Sequence, residues 1–536
     1  MQLSEKIDKY VSVLCILLCV AFFFMPQFKY YSLHTGVADL GFFLAGLYKV
    51  NSQWPHIFYG HVQPYMYLYG YLFQIFPENH VPFLLLGLQS LVLLVATALI
   101  WKYYGKLAGF SMMMYTPLWM NNLFDFHFDH IAILLMAIFF ISCKKNKYKI
   151  SMIAMLLLCF VKEIFALQAI MCGIYLINEI LKNSYNLEKK WNIIYTLLLV
   201  GFAGLWFLVS IKYLIPFFSD SGNTALESSA FSWLGNNIYE IFFKILHQPL
   251  KILLEIITTP GKIYYVVMLF GPLLFISILN PLPLITAIPI LMVSLLSRTP
   301  NYYDYATHYS AGLIIPIIVS FSESIPKIQA LFQHLYKKSK YSRRTISGRN
   351  NQFFYFFIIG WLIFFQITFG VSPISRLFWS DKIWVYNYQA YISSQRDANI
   401  REAIRKLIPI DDSIIISSQN NINYSPLFLR QNYLIFPGGV TVPHAKTNWD
   451  SKTIINFLLY LKGELRTDSQ QNFVYADYVL IDTARPYFIF DKGCDSIFLS
   501  CSNKNIERDF LDSVRVMEDQ YILLYEKSGF KIFKKN

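Results

Sequence analysis

The chain has 536 residues, of which 55% are hydrophobic, 18% aromatic and only 15% charged. This composition excludes an ordinary soluble protein and predicts an integral membrane protein, long enough for a membrane core and one further domain. The formal net charge of +13 is explained by runs of Lys and Arg between apolar segments, where they orient the chain and meet anionic lipid. Nucleic acid is therefore not expected as a partner.

Eleven apolar stretches predict an α-helical multi-span protein. They cover residues 10–25, 81–101, 107–120, 131–143, 150–161, 164–177, 191–215, 263–279, 282–296, 309–321 and 353–369. Lys6 and Lys9 precede the first stretch and no small-residue cleavage site follows it, so we expect a retained signal anchor with a cytoplasmic N-terminus. Several stretches are shorter than the roughly 20 residues that a span usually needs, which leaves their boundaries open.

The basic runs decide the orientation. With eleven crossings, the Lys and Arg clusters at residues 102–106, 144–149, 182–190 and 327–349 all face the cytoplasm. The apolar residues 62–76 are rich in Tyr and carry a Pro, which is typical of a helix lying in the membrane interface. Counting them as a span would place the Lys residues at 102 and 144–149 outside the cytoplasm, so they are not counted. We expect a multi-pass protein of the bacterial inner (plasma) membrane.

Residues 372–536 change character and predict a small extracytoplasmic α/β domain. A polar helix is expected at residues 398–407, short strands at 414–417 and 478–481, and a hairpin from 521–525 and 530–533. This segment carries no nucleotide-binding or hydrolase signature. An oxidising compartment would favour a disulfide between Cys494 and Cys501, with two free thiols as the alternative.

Polar groups from five parts of the chain are predicted to meet at the outer membrane surface. They are Asp39, His61, the run of residues 121–130 with Asp125, His127, Asp129 and His130, the pair Lys162 and Glu163, and residues 304–308 with His308. Ionisable residues at membrane level are costly and usually mark a pathway or a site. Two simpler interpretations stay open: Lys162 and Glu163 as a neutralised pair at a turn, and His308 as part of an interfacial aromatic belt.

Asp39 is the most informative of these residues. It stands between small residues, and its nearest basic neighbours in the sequence are Lys29 and Lys49. A solvated surface acid is one interpretation; the other is a positioned base that takes a proton from an attacking hydroxyl. Asp125 and His127 would then provide a second base, bind a divalent cation or bind an anionic head group, and their residue types allow metal coordination without establishing it.

Several runs resemble the recurring elements of an uncharacterised family of predicted membrane proteins, domain of unknown function 2079. They are residues 38–43, 61–64, 122–127, 161–163 and 308–309, followed in the tail by 408–413, 436–438 and 476–482. The resemblance covers nearly the whole chain. That family is in turn similar to the GT-C glycosyltransferases, multi-span enzymes that use a lipid-phosphate-linked sugar on the extracytoplasmic face.

The resemblance implies a GT-C-like core over residues 1–371 and an inverting transfer from a polyprenyl-phosphate sugar. Asp39 would be the general base, His61 with Pro64 the interfacial element, and Asp125 with His127 the second motif. Lys162 and Arg298 would bind the donor phosphate, with His308 as a weaker candidate. The substrate-binding set would be His61, Asp129, His130 and Glu163.

One departure from the GT-C pattern bears on metal use. Many members carry paired acids in the first loop, whereas the first acid after Asp39 is Glu78. A mechanism that rests on a metal held by such a pair is therefore in doubt, and a divalent cation at Asp39, Asp125 and His127 stays an open alternative. No other cofactor is expected.

Two functions from other classes remain alternatives. A transporter or flippase of a lipid-linked substrate would also gather ionisable groups, although no inverted repeat is evident. A catalytically inactive envelope scaffold is the other, although eleven spans exceed what an anchor requires. Trp54, Trp233 and Trp379 could stack on sugar rings, but tryptophan at an interface needs no ligand to explain it.

Overall fold

The structure is a computed structural model. It describes residues 2–49, 60–182, 187–218, 230–338, 346–380, 386–411, 413–424, 432–440, 444–446, 472–485 and 504–536. Cys494, Cys501 and Trp54 lie outside the described residues, so the disulfide stays a prediction.

Helices make up most of the described chain. In chain order they are α1 (Gln2–Tyr31), α2 (Phe42–Lys49), α3 (Tyr65–Phe73), α4 (Val81–Tyr104), α5 (Lys106–Met113), α6 (Thr116–Leu123), α7 (Asp129–Lys144), α8 (Tyr148–Leu158), α9 (Glu163–Lys182), α10 (Leu187–Val209), α11 (Ile215–Phe218), α12 (Ile238–His247), α13 (Pro249–Thr258), α14 (Pro260–Phe270), α15 (Pro281–Ile285), α16 (Ile288–Leu296), α17 (Ala311–Lys338), α18 (Ile346–Phe369), α19 (Gln395–Leu407) and α20 (Lys504–Glu518).

Five stretches of the described residues are long and apolar enough to cross a membrane. They are Tyr10–Tyr31, Glu78–Tyr104, Glu163–Lys182, Glu188–Phe218 and His308–Leu331. The pair Pro249–Thr258 and Pro260–Leu273 would make a sixth if this broken helix, bent by 82°, is one span. The five long stretches coincide with predicted spans, whereas the total of eleven is not confirmed.

Proline explains part of this difference. The predicted span at residues 107–120 is two short helices, α5 and α6, and Pro117 stands in the first turn of α6. The predicted span at 282–296 is likewise divided into α15 and α16, with Pro289 in the first turn of α16. Proline lacks an amide hydrogen and disfavours helical geometry in the preceding residue, so it starts helices more readily than it continues them.

The helices pack around an aromatic and aliphatic core. Helix α4 packs against α1, α5 and α7, and α17 packs against α7. Trp119 of α6 is completely buried, and its ring meets Phe22 of α1 edge to face with ring centroids 5.0 Å apart. The amino-terminal half of α6 is thereby fixed against α1, which determines where the polar segment after α6 emerges.

The C-terminal part contains a five-stranded mixed sheet. Its strands are β1 (Ile415–Ser418), β2 (Asn432–Ile435), β5 (Tyr478–Asp482), β6 (Tyr521–Lys527) and β7 (Phe530–Lys535), in the order β2-β1-β5-β7-β6. A separate pair is formed by β3 (His444–Lys446) and β4 (Asn472–Val474). Strands β2, β1 and β5 run parallel, while β7 is antiparallel to β5 and β6. The predicted strands and hairpin are confirmed within a few residues.

Two helices cover the two faces of this sheet. Side chains of α19 pack with one set of strand residues, including Ile416 and Leu480, and side chains of α20 pack with the alternate set, including Ile415 and Val479. Successive strand residues point to opposite faces, which is why neighbours in the sequence enter different cores. The polar helix begins three residues earlier than predicted, because Ser394 caps it and closes a capping box with Asp397.

The C-terminal sheet packs directly on the segment that follows α1. Leu33 and Val37 are fully buried in the same apolar cluster as α19, β1 and β5. Arg485 donates to the Ser32 carbonyl at 3.1 Å and pairs with the buried Asp397 at 2.9 Å. The loop that carries Asp39 is thus held between the helical core and the C-terminal sheet.

Candidate functional site

The segment between α6 and α7 is fixed by a polar residue of the helix beside it. The side-chain amide of Gln89, in α4, donates to the carbonyls of Asn122 and Asp125 at 3.1 and 3.0 Å. Its oxygen accepts the His127 backbone N–H at 3.1 Å. These three bonds satisfy backbone groups that a non-helical segment would otherwise leave unpaired in the core, so Gln89 determines the path of residues 124–128.

Asp39 lies in a single π-helical turn, Val37–Gly41, directly before α2. Its Oδ1 is 3.3 Å from Nε2 of His127, with side-chain exposures of 28% and 11%. An imidazole at this distance orients a carboxylate and stabilises its charged form when the ring is protonated. The first loop and the second polar motif therefore meet as a partly exposed pair.

Gly36 stands where three polar side chains converge. Its N–H donates to Asp125 Oδ2 at 2.6 Å. A Cβ at Gly36 would lie 3.3 Å from both Asp125 Oδ2 and Asp39 Oδ2, and 3.5 Å from Asn420 Nδ2. The backbone of Gly36 is extended, with φ of −89° and ψ of 140°, so the absence of a side chain here serves to leave room between the two carboxylates.

Lys29 brings a buried positive charge to the two acids. Its side chain is 2% exposed, and Nζ donates to the carbonyls of Leu123 and Phe124 at 2.6 and 2.9 Å. The ammonium also lies 4.8 Å above the ring of Tyr386, an approach typical of a cation–π contact. A charge of this kind compensates the carboxylates in a region from which water is largely excluded.

Burial raises the pKa of Asp125 to about 7, a shift that Asp39 increases and that Lys29, the Gly36 N–H and His127 oppose. The free carboxyl has a pKa of about 3.9. Between about pH 4 and 7 the folded protein therefore holds more protons here than the unfolded chain does. The contribution of Asp125 to stability is complete below that window and is lost as the pH rises through it.

We expect this proton to be visible in the pH dependence of unfolding. Because of Asp125, the free energy of unfolding of the wild-type protein should fall by at most about 1.4 kcal/mol per pH unit as the pH rises from about 4 to 7. Asp125→Asn should remove this part of the pH dependence. Thermal unfolding of the purified wild-type protein and variant across this range measures the difference. Parallel curves for the two proteins would contradict the assignment.

Two contacts of Glu163 join the loop before α3 to the start of α9. His61 Nδ1 is 2.7 Å from Glu163 Oε1, and Glu163 Oε2 accepts the Val62 backbone N–H at 2.9 Å. Glu163 is buried, whereas the His61 side chain is 31% exposed. Both carboxylate oxygens are thereby used, so Glu163 fixes the entry of α3 and leaves the outer edge of His61 accessible.

A cavity opens beside the His61–Glu163 pair. Its polar lining includes His61, Asp129, Lys162 and Glu163. The rest of the wall is mostly apolar, with Ile164, Phe165, Phe207, Ile211, Phe231, Ile290, Val293, Ser294, Tyr302 and Tyr309. The wall thus combines a lysine with a largely hydrocarbon interior, which suits a ligand with one anionic end and one apolar end.

The cavity adjoins the Asp39 pair through two imidazoles. The rings of His127 and His308 stack with centroids 3.6 Å apart and planes 14° apart. The residue after His308 is Tyr309, which lines the cavity. The centroid of its ring lies 5.6 Å from Lys162 Nζ. A series of side-chain contacts thus connects Asp39, through His127 and His308, with the cavity wall.

Two predicted site residues lie elsewhere. Arg298 is 54% exposed, pairs with Glu255 at 3.3 Å and lies over the ring of Trp233, and it is not among the residues that line the cavity. His130 is buried and meets the hydroxyl of Tyr69 at 3.0 Å, which places it behind the second motif.

Sequence reasoning did not select Lys29, Gln89 or Asn420 for the site. Lys29 and Gln89 carry a usable signal, because each is a polar residue in an apolar helix and both are buried. Asn420 carries none, since only the tertiary fold brings it to Gly36.

Among the described residues, no group of three or more His, Cys, Asp or Glu side chains is arranged to hold a metal ion. A divalent cation at Asp39, Asp125 and His127 stays a prediction.

Comparison with known proteins gives one family. A search of curated proteins finds no match to this chain. The family model described as "Predicted membrane protein (DUF2079)" matches residues 25–455, which include Lys29, both acidic motifs, the cavity and Asn420. The chain therefore belongs to this family of predicted membrane proteins with domain of unknown function 2079.

Proposed function

We propose that the protein is a membrane glycosyltransferase that moves a sugar from a polyprenyl-phosphate-linked donor to an extracytoplasmic acceptor. The observation that carries the proposal is the contact of Asp39 with His127 beside a cavity that holds Lys162. A partly exposed carboxylate with an orienting imidazole is a suitable general base. A lysine in an apolar cavity is a suitable partner for a lipid phosphate.

The proposed reaction is a single displacement with inversion. Asp39 takes the proton of the acceptor hydroxyl as that oxygen attacks the anomeric carbon of the sugar. The bond between the anomeric carbon and the phosphate oxygen breaks, and polyprenyl phosphate leaves with the bonding electrons. His127 orients the carboxylate, and Lys162 stabilises the negative charge that develops on the leaving phosphate.

The apolar wall accounts for the lipid part of the donor. Ile164, Phe165 and Phe207 line the cavity that also holds Lys162. Burying a prenyl chain against hydrocarbon side chains contributes a binding free energy of roughly 25 cal/mol per Å² of apolar surface removed from water. A donor with its phosphate at Lys162 and its chain along this wall would place the sugar toward His308 and the Asp39 pair.

The proposal includes a location and an orientation. The protein would lie in the bacterial inner membrane with its N-terminus in the cytoplasm and its C-terminal domain outside, since this arrangement keeps the basic runs inside. Asp39 and the C-terminal sheet would then face the same extracytoplasmic space, where the acceptor is found.

Transfer can be tested with the protein purified in lipid nanodiscs. With a labelled polyprenyl-phosphate hexose, we expect release of polyprenyl phosphate together with a glycosylated acceptor from an envelope extract. Mass spectrometry of the lipid that co-purifies with the protein would identify the donor. Binding of intact donor without cleavage of the sugar–phosphate bond would contradict transfer and favour the transporter.

Lys162 supplies a more specific test. Lys162→Gln removes the positive charge and should raise the KM for the donor about 10- to 100-fold, the cost of one charge-assisted contact. Lys182→Gln is the matched control, because Lys182 is 55% exposed at the far end of α9 and pairs with Glu179. Equal donor KM values for the two variants would exclude Lys162 from phosphate binding.

A further inference from the structure

A loop of the C-terminal domain holds the turn that carries Asp39. The Val37 N–H donates to the backbone oxygen of Asn420 at 2.6 Å, and the Ala38 N–H donates to its side-chain Oδ1 at 2.9 Å. Asn423 Nδ2 donates to the Gly36 carbonyl at 3.0 Å. Three consecutive residues before Asp39 are thus bonded to one short segment of a distant domain.

The amide nitrogen of the Asn420 side chain and the two acids lie around one point at Gly36. Its Nδ2 is 3.5 Å from the point that a Cβ at Gly36 would occupy, and the Oδ2 atoms of Asp39 and Asp125 are each 3.3 Å from the same point. Asn420, like Asp39, is only partly buried. The carboxamide therefore fixes the Asp39 turn with its oxygen and keeps its amide group at the edge of the space between the carboxylates.

We infer that Asn420 is a positioning residue of the site, which sets the orientation of Asp39 by holding the Ala38 amide and by placing a neutral hydrogen-bond donor beside both acids. The kinetic part of this inference rests on the proposed transfer reaction. A carboxamide suits this place because it supplies an acceptor and a donor without adding charge next to two carboxylates.

The docking of the domain does not depend on Asn420 alone. Arg485 bonds the Ser32 carbonyl, Ser32 Oγ donates to the Ala390 carbonyl at 2.5 Å, and Leu33 and Val37 are buried among C-terminal side chains. A change at Asn420 should therefore leave the domain in place and alter mainly the setting of the Asp39 turn.

Two substitutions at Asn420 separate positioning from folding. Asn420→Ala removes the bond to Ala38 and should lower kcat about 10- to 100-fold, with the donor KM unchanged, since small errors in geometry have effects of this size. Asn420→Asp keeps the acceptor oxygen but adds a carboxylate near Asp39 and Asp125, which already have the Lys29 ammonium and the His127 imidazole near them. Because a third negative charge raises the pKa of its neighbours, the acidic limb of the pH–rate profile should move to higher pH.

Matched controls come from Asn399, which is partly buried like Asn420 and accepts a hydrogen bond from the side-chain amide of Gln395. Asn399→Ala and Asn399→Asp should keep the wild-type kcat and pH profile. The inference is overturned if Asn420→Ala has the wild-type kcat, or if Asn420→Asp and Asn399→Asp have the same pH profile.

The pH dependence of thermal stability tests the role of Asn420 without any assay of sugar transfer. On raising the pH from 5 to 8, Asn420→Asp should lose more thermal stability than Asn399→Asp, because only the former adds charge beside Asp39 and the buried Asp125. If the wild-type protein transfers no sugar, the proposed function fails and this comparison alone decides the inference. Equal pH dependence of the two aspartate variants would then overturn it.

Discussion

Replacing Asp39 with asparagine is expected to lower kcat for sugar transfer about 100- to 10,000-fold, the range typical of losing a general base. The amide has nearly the same size and keeps an oxygen close to Nε2 of His127, which lies 3.3 Å from Oδ1 in the wild type. It has no basic oxygen with which to take the acceptor proton. Donor binding should persist, because the cavity and Lys162 are unchanged.

Single-turnover assays in nanodiscs with a labelled donor would measure this loss separately from donor binding. Asp512→Asn is the matched control, since Asp512 is 55% exposed in α20 and pairs only with the neighbouring Arg515 among the residues described. Asp39→Asn should bind the donor as tightly as this control and turn it over far more slowly. A wild-type rate for Asp39→Asn would remove the proposed base and the mechanism that depends on it.

Replacing Lys29 with methionine is expected to destabilise the protein by about 3–5 kcal/mol, the usual cost of breaking buried charge compensation from one side. Methionine matches the length of the side chain but leaves the carbonyls of Leu123 and Phe124 without their donor. It also leaves Asp125 buried beside Asp39 without the nearby cation. Thermal unfolding in detergent near pH 7.5, where more of the Asp125 population is ionised, would show the effect most clearly.

A double variant identifies the cause of this loss. Lys29→Met combined with Asp125→Asn removes both charges, and the asparagine can still accept the Gly36 N–H. We expect the second change to recover about 0.5–3 kcal/mol, the range for coupled neighbours. Lys102→Met is the control for the loss of a lysine, because Lys102 is exposed at the end of α4. Strict additivity of the two changes would mean that Lys29 acts only through its carbonyl contacts.

The sequence was a good guide to local structure and a weaker guide to helix continuity. The hairpin of β6 and β7 followed from two short apolar runs on either side of a Lys-Ser-Gly turn, where Ser528 and Gly529 both adopt positive φ. The breaks at α5–α6 and α15–α16 were missed, because each is a turn of only two residues and the hydropathy of the surrounding stretch stays high across it. Eleven apolar stretches therefore correspond to five long helices, one bent pair and several shorter pieces.

The site was predictable as a set of residues but not as a set of partners. Charge in the loops indicated which segments share a membrane surface, so Asp39, Asp125, His127 and His308 were selected together. No local pattern tells that His127 stacks on His308, or that Glu163 receives both His61 and the Val62 amide. Such pairings depend on helix rotation and loop path, which only the packed structure determines.

The contact between the Asp39 turn and the C-terminal sheet region has a consequence for how the protein matures. Ala38 and Asn420 are 382 positions apart, and β7 is a still later strand of the sheet that Asn420 adjoins. During synthesis the first helices can enter the bilayer long before the ribosome reaches that strand, so a nascent chain carries its acidic turn without the partners that orient it. The proposed transfer activity would accordingly be acquired only after β7 has been synthesised, and chains that stop before it would remain anchored but inert.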